Sequence, residues 1–196
     1  MIAVYYNNHP LLGYIYDIIR DELYWGGPVY DAVYCNDYQL ATPTDSILSE
    51  GLVQLCRPFV MNDSYSFRRV VDASAGLRMY GCAGLEFINV LTGRCICYAS
   101  ALRPWDLAAG KILAETLDLV VETIDVKETN MLSSKVVLVA TKNAEKDITK
   151  KQKDNIEKKL SKREEVLEVK YVSADEAWEE FQKDYFGENS DAADGF

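Results

Sequence analysis

Short runs of apolar and aromatic residues, separated by turn-forming residues, divide the first forty positions, and the first run alternates as a strand does. Residues 1–6 predict a strand, Asn7-Asn8-His9-Pro10 a turn, and residues 11–16 a second strand. Residues 17–21 predict a second turn and 22–25 a third strand, which Gly26-Gly27-Pro28 is expected to break. A further short pairing is expected within 30–40. This is an antiparallel meander, and Met1 already lies inside its first strand. Residues 44–56 mix the periods, with Ile47, Leu48, Leu52, Val53 and Leu55 apolar, and assign neither helix nor strand. Residues 65–71 read as a short helix or an irregular piece.

The period changes further on. Residues 77–80 predict a short strand. Ala83, Gly84, Phe87, Ile88 and Leu91 recur at helical spacing over 81–91, and Thr92-Gly93 supplies the stop. Residues 95–99 predict a buried strand, and a helix is expected from Asp106 to about 117. Residues 120–124 and 136–140 predict strands, and a lysine-rich helix follows from Asn143. Alternating strands and helices over 77–160 make this part α/β, behind an antiparallel start. From about residue 162 the composition shifts. "EEVLEVKYVS" reads as a short strand, and Ser173-Ala174-Asp175-Glu176 as a capping box that opens an amphipathic helix with Trp178, Phe181 and Tyr185. The last ten residues are polar and acidic.

Composition narrows the function. The chain has 196 residues, 48% hydrophobic, enough for one sizeable core. A net charge of −10 argues against nucleic acid and anionic membranes, both of which call for basic patches. It allows a phosphate ester whose charge is bridged by cations. The five cysteines (Cys35, Cys56, Cys82, Cys95, Cys97) form no CxxC pair and accompany a single histidine, His9. They are expected to be reduced, buried as small hydrophobes, and suited to the cytoplasm. No apolar run is long enough to cross a bilayer. His9, in a turn with two asparagines, reads as solvated.

The stretch "ALRPWDLAAG" (101–110) concentrates the candidate chemistry. An aspartate at a helix start can cap free N–H groups and meets the positive end of the dipole. Ala108, Ala109 and Gly110 put no bulk on the next turn, so another backbone can approach. Pro-Trp-Asp-x-Ala-Ala-Gly resembles the C-terminal signature of the inositol monophosphatase family. "LRMYGCAGLEFINVLTGR" (77–94), "LGYIYDIIRDELYWG" (12–26) and "MLSSKVVLVATKNAEKDI" (131–148) resemble three more of its stretches, in the right order. No counterpart is identified for the tail from about 163.

The resemblance implies a layered α/β fold, inositol monophosphatase-like and truncated at its N-terminus. Residues 1–42 would be the remnant of a first antiparallel sheet, 43–160 a mixed sheet with flanking helices, and 161–196 an acidic tail. It implies magnesium-dependent hydrolysis of inositol or sugar phosphates, with Asp106 as a metal ligand and Gly81, Cys82 and Ala83 beside the substrate, where N–H groups at a helix start meet phosphate or hydroxyls. Tight packing of a strand-to-helix turn explains 81–84 equally well. The family's upstream ligands, a glutamate and an Asp-Pro-x-Asp-Gly-Thr motif, have no counterpart here, and Ala99 stands where many members carry a substrate-binding glutamate. The isolated chain is therefore expected to be inactive. The alternatives are a non-catalytic oligomerisation or regulatory module, or half of a split enzyme that pairs with itself, with a full-length relative or with an N-terminal fragment.

Overall fold

The computed structural model describes residues 1–123 and 134–160, with side chains through 151. The expected strand at 164–173 and the helix from Ser173 lie outside these residues. The meander forms as a five-stranded antiparallel sheet in sequential order: β1 (Ile2–Tyr6), β2 (His9–Asp17), β3 (Glu22–Gly27), β4 (Ala32–Cys35) and β5 (Tyr38–Gln39). The first hairpin turns on Asn7 and Asn8, both left-handed at φ 47 and 64. Asparagine tolerates that region, which matches the twist of the flanking strands. The second turn is closed by Asp17, whose Oδ1 accepts from the Ile19 and Arg20 N–H groups and whose Oδ2 accepts from Arg20 Nη1 at 2.7 Å. Contrary to expectation, the glycines do not break β3 but belong to it. A Cβ on Gly26 would sit 2.1 Å from the Ala32 oxygen, so glycine there lets β4 approach, and the strand ends only at Pro28.

The second sheet runs β7–β6–β8–β10–β9, from β6 (Leu52–Leu55), β7 (Gly76–Arg78), β8 (Cys97–Leu102), β9 (Val120–Thr123) and β10 (Lys135–Ala140). β6 pairs in parallel with β7 and β8, while β10 runs antiparallel to both its neighbours. The ambiguous 44–56 stretch thus resolves into a 3₁₀ turn at Leu48–Glu50 and a central strand. α1 (Arg57–Met61), which the sequence pattern does not reveal, precedes α2 (Phe67–Ala73). Then follow α3 (Ala83–Leu91), α4 (Pro104–Thr116) and α5 (Lys142–Leu160).

Strand alternation divides the interior into two cores. Tyr98 and Leu102 of β8 and Val137 and Val139 of β10 face one side, with Phe87, Leu91 and Leu113 from α3 and α4 and Ile15, Tyr24 and Val33 from the meander. Cys97, Ala99, Leu138 and Ala140 face the other, with Phe67 and Val70 of α2 and Ala144 and Ile148 of α5. The layers are therefore meander, α3 and α4, mixed sheet, then α2 and α5. Glycines set the first spacing. A Cβ on Gly13 of β2 would lie 2.6 Å from the Ala109 oxygen of α4, and one on Gly110 would lie 2.4 Å from the Phe87 ring of α3. The small residues after Asp106 thus admit a strand and an aromatic ring.

Candidate active site

Four chain ends converge on one cavity of about 650 Å³: the ends of β6 and β8 and the N-terminal turns of α3 and α4. Gly81, Ala83 and Asp106 line it, so three of the four residues singled out in the sequence meet in space. Cys82, between Gly81 and Ala83, is exposed rather than buried, while Cys35 and Cys56 are half-buried and only Cys95 and Cys97 fit the expectation of core cysteines. All five are free.

Asp106 is not the cap of its helix. Pro104 takes the first helical position, where its missing N–H costs nothing, and Arg103 is the extended N-cap residue. Asp106 is the third helical residue, and its own N–H donates to the Arg103 oxygen at 3.0 Å. No hydrogen bond or ion pair among the described residues engages its half-buried carboxylate. It lines the cavity beside the positive end of α4.

The opposite wall is fixed by Glu86, which the sequence reading passed over. This residue is 3% exposed, and its Oε1 accepts from the N–H groups of Tyr80 and Gly81 at 3.1 and 3.3 Å. Gly81 sits at φ 69, so the turn that Glu86 closes is one glycine adopts without strain. The Glu86 main-chain oxygen accepts from Gln54 Nε2 at 2.9 Å, and Asn89 Nδ2 donates to Gln54 Oε1 at 2.9 Å. Gln54 is fully buried in β6, so this network fastens α3 to the mixed sheet with its polar atoms paired. The Tyr98 hydroxyl interacts with Glu86 and Ser100; burial first, then the Glu86 charge, raises its pKa well above the ordinary tyrosine value. Alternation along β8 sends Tyr98 and Ser100 to the cavity and Ala99 into the far core. Ala99, which the resemblance sets at the family's substrate-binding glutamate, is thus turned away, and its neighbours occupy the site.

The donors here do not make a magnesium site by themselves. Among the described residues no group of three or more His, Cys, Asp or Glu side chains could hold a metal ion. Glu86 is occupied by two N–H groups, which leaves Asp106 as the one carboxylate of the cavity lining free to act as a ligand.

Residues 1–157, about four fifths of the chain, match the sequence model of the inositol monophosphatase family. Residues 132–196 also match that of the FtsX extracellular domain, about a third of the chain, and this match includes the tail for which the sequence suggested no counterpart. The inositol-1-monophosphatase of Bacillus subtilis (strain 168) is 30% identical over 152 residues, which cover 75% of this chain and 57% of that protein. A Staphylococcal IMPase-I solved in complex with products is 25% identical, with a TM-score of 0.67, over 76% of this chain and 57% of the other. An IMPase/NADP phosphatase complexed with Mg2+ and phosphate is 25% identical, with a TM-score of 0.65, over 76% and 56%. The chain thus spans little more than half the length of these relatives. The layered fold, the order of its elements and the sequence match over residues 1–157 agree: this chain belongs to the inositol monophosphatase family.

Proposed function

We propose that this chain forms the substrate-facing part of a magnesium-dependent phosphomonoesterase that acts on inositol or sugar phosphates, and that it turns over no substrate alone. The observation that carries the reading is the meeting of Gly81, Ala83 and Asp106 in one cavity, within a chain of this family. The open N–H groups of the α3 first turn, at Cys82, Ala83 and Gly84, bind phosphate or a hydroxyl. Glu86 keeps that turn in place, and Ser100 offers a hydroxyl to a polyol. Asp106 would supply one carboxylate to a divalent ion, which when bound would activate water and stabilise the leaving oxygen. Magnesium is usually held by more than one carboxylate together with phosphate. The remaining ligands would belong to the part of the family fold that this chain does not match. Free cysteines, two of them buried, suit a reducing compartment such as the cytoplasm.

The exposed apolar side chains of β1, Ile2, Val4 and Tyr6, favour a second reading, a pairing module without chemistry of its own. Titrating the ¹⁵N-labelled chain with inositol 1-phosphate separates the two. Shifts confined to the amides of 81–84 and 106, weakened in Asp106→Asn, support the site. An unperturbed cavity overturns it in favour of the pairing module. Magnesium-dependent phosphate release by the wild-type chain alone, lost in Asp106→Asn, would overturn the claim of inactivity.

A further inference from the structure

Among the residues that line the Asp106 cavity one is a cation, Arg57. It is exposed, and no hydrogen bond or ion pair among the described residues engages its side chain. Other arginines of the same stretch are used by the fold. Arg68 Nε and Nη2 donate to the Val60 and Met61 oxygens at 2.9 and 2.8 Å, and Arg78 Nη1 donates to the Leu77 oxygen at 2.9 Å. Arg57 thus brings a free guanidinium to a cavity of a chain that carries −10.

Its place follows from the sheet. β6, β7 and β8 run parallel, so their C-terminal ends share one edge, where α/β folds put their ligands. β6 lies between the other two and hands on to α1 at Arg57. Pro58 stiffens that turn, and buried Phe59 anchors it in the core shared with α2 and α5. Ala83 of α3 and Leu107 of α4 pack instead into the core on the meander side. The Gly81–Ala83 turn and Asp106 therefore stand on one flank of the sheet's end, and Arg57 stands on the other.

A phosphate ester seated on the first flank already has its phosphate met by the α3 N–H groups and a divalent ion. The guanidinium across β6 faces the remainder of that ligand. Its planar fork pairs with two oxygens of a carboxylate or a phosphate at once, which a single hydroxyl cannot match. Without it, a second negative group would meet only the repulsion of Asp106 and of the chain's net charge.

We propose that Arg57 is a specificity-determining residue, which selects sugar or polyol phosphates that carry a second anionic group on the side away from the scissile ester. The inference rests on the phosphatase reading above and narrows its substrate class.

The test uses ligands that differ at one carbon of the sugar. Glucose 1-phosphate carries a hydroxymethyl group there, glucuronic acid 1-phosphate a carboxylate, and glucose 1,6-bisphosphate a second phosphate. Dissociation constants are read from the amide shifts of 81–84 in the ¹⁵N-labelled full chain with magnesium present. The added anionic group should tighten binding about tenfold, the worth of a charge-assisted hydrogen bond. That margin should vanish in Arg57→Gln, whose melting temperature should match the wild type because the side chain is exposed and unshared. Arg94→Gln removes the same charge from an exposed position before the opposite end of β8 and should leave the margin intact. A gain shown by one of the two anionic ligands alone supports the proposal and identifies the group that Arg57 takes. Equal affinity for all three overturns the proposal and leaves the phosphatase reading standing, as does a margin that survives Arg57→Gln. Equal weakening of all three in Arg57→Gln also overturns it, since Arg57 would then hold the scissile phosphate. If none of the three perturbs 81–84, the phosphatase reading falls and the proposal falls with it.

Discussion

Replacing Gly110 with alanine tests why small residues follow Asp106. The new Cβ would lie 2.4–2.5 Å from three atoms of the Phe87 ring, well inside van der Waals contact. The ring is fully buried and meets Tyr98 edge-on at 5.5 Å, so it has no free space to move into. Overpacking of this kind costs about 1–3 kcal/mol. Alanine recovers about 1 kcal/mol inside a helix, because glycine loses more backbone entropy on folding. With three ring atoms in conflict the upper half of the range applies, which leaves a net loss of about 1–2 kcal/mol. For a unit of this size, roughly 3–6 °C of melting temperature should go. Calorimetry of Gly110→Ala, Phe87→Leu and the double variant gives the cycle. Phe87→Leu should destabilise alone yet make Gly110→Ala nearly neutral. A melting temperature that rises in Gly110→Ala would refute the argument, since it would mean that α3 and α4 separate freely and that their packing does not hold the two walls of the cavity.

Two further outcomes follow from local electrostatics. The Arg20 guanidinium beside Asp17 holds that carboxyl below its ordinary value of 3.8, so its contribution to stability is present above about pH 4 and is lost as pH falls through the lowered value. The gap in melting temperature between wild type and Asp17→Asn should accordingly close in acid; a gap that persists unchanged at pH 2 would contradict this. Burial pushes the Cys95 thiol up to about 11 and Cys97 to about 12, so at pH 8 a thiol reagent should label exposed Cys82 first and leave both buried sites unlabelled until the chain unfolds. Mass spectrometry of a labelling time course checks it, and early modification of Cys95 would mean that the core around β8 opens readily.

The sequence by itself determined most of the elements, because their signals are local. Short strand-like runs between turn residues over 1–40 give the meander, paired asparagines mark its first turn, and helical spacing over 81–91 with a glycine stop gives α3. The Pro-Trp-Asp stretch marks the start of α4 to within two residues; the error arose because proline, not aspartate, takes the first helical position. What only the tertiary structure decided depends on residues far apart in the chain. Glu86 has no distinctive spacing, yet its carboxylate holds the Tyr80–Gly81 turn and its main chain is held by Gln54, 32 residues away. The resemblance set Ala99 at the family's substrate-binding glutamate, but the strand period turned that residue into the far core and left the cavity to Tyr98 and Ser100. Gly110 looked like room for a substrate or a backbone and proved to be room for Phe87. The row Ile2–Tyr14–Trp25–Tyr34 across the meander is likewise invisible along the chain, since each strand supplies one residue to it and the pairing register alone lines them up.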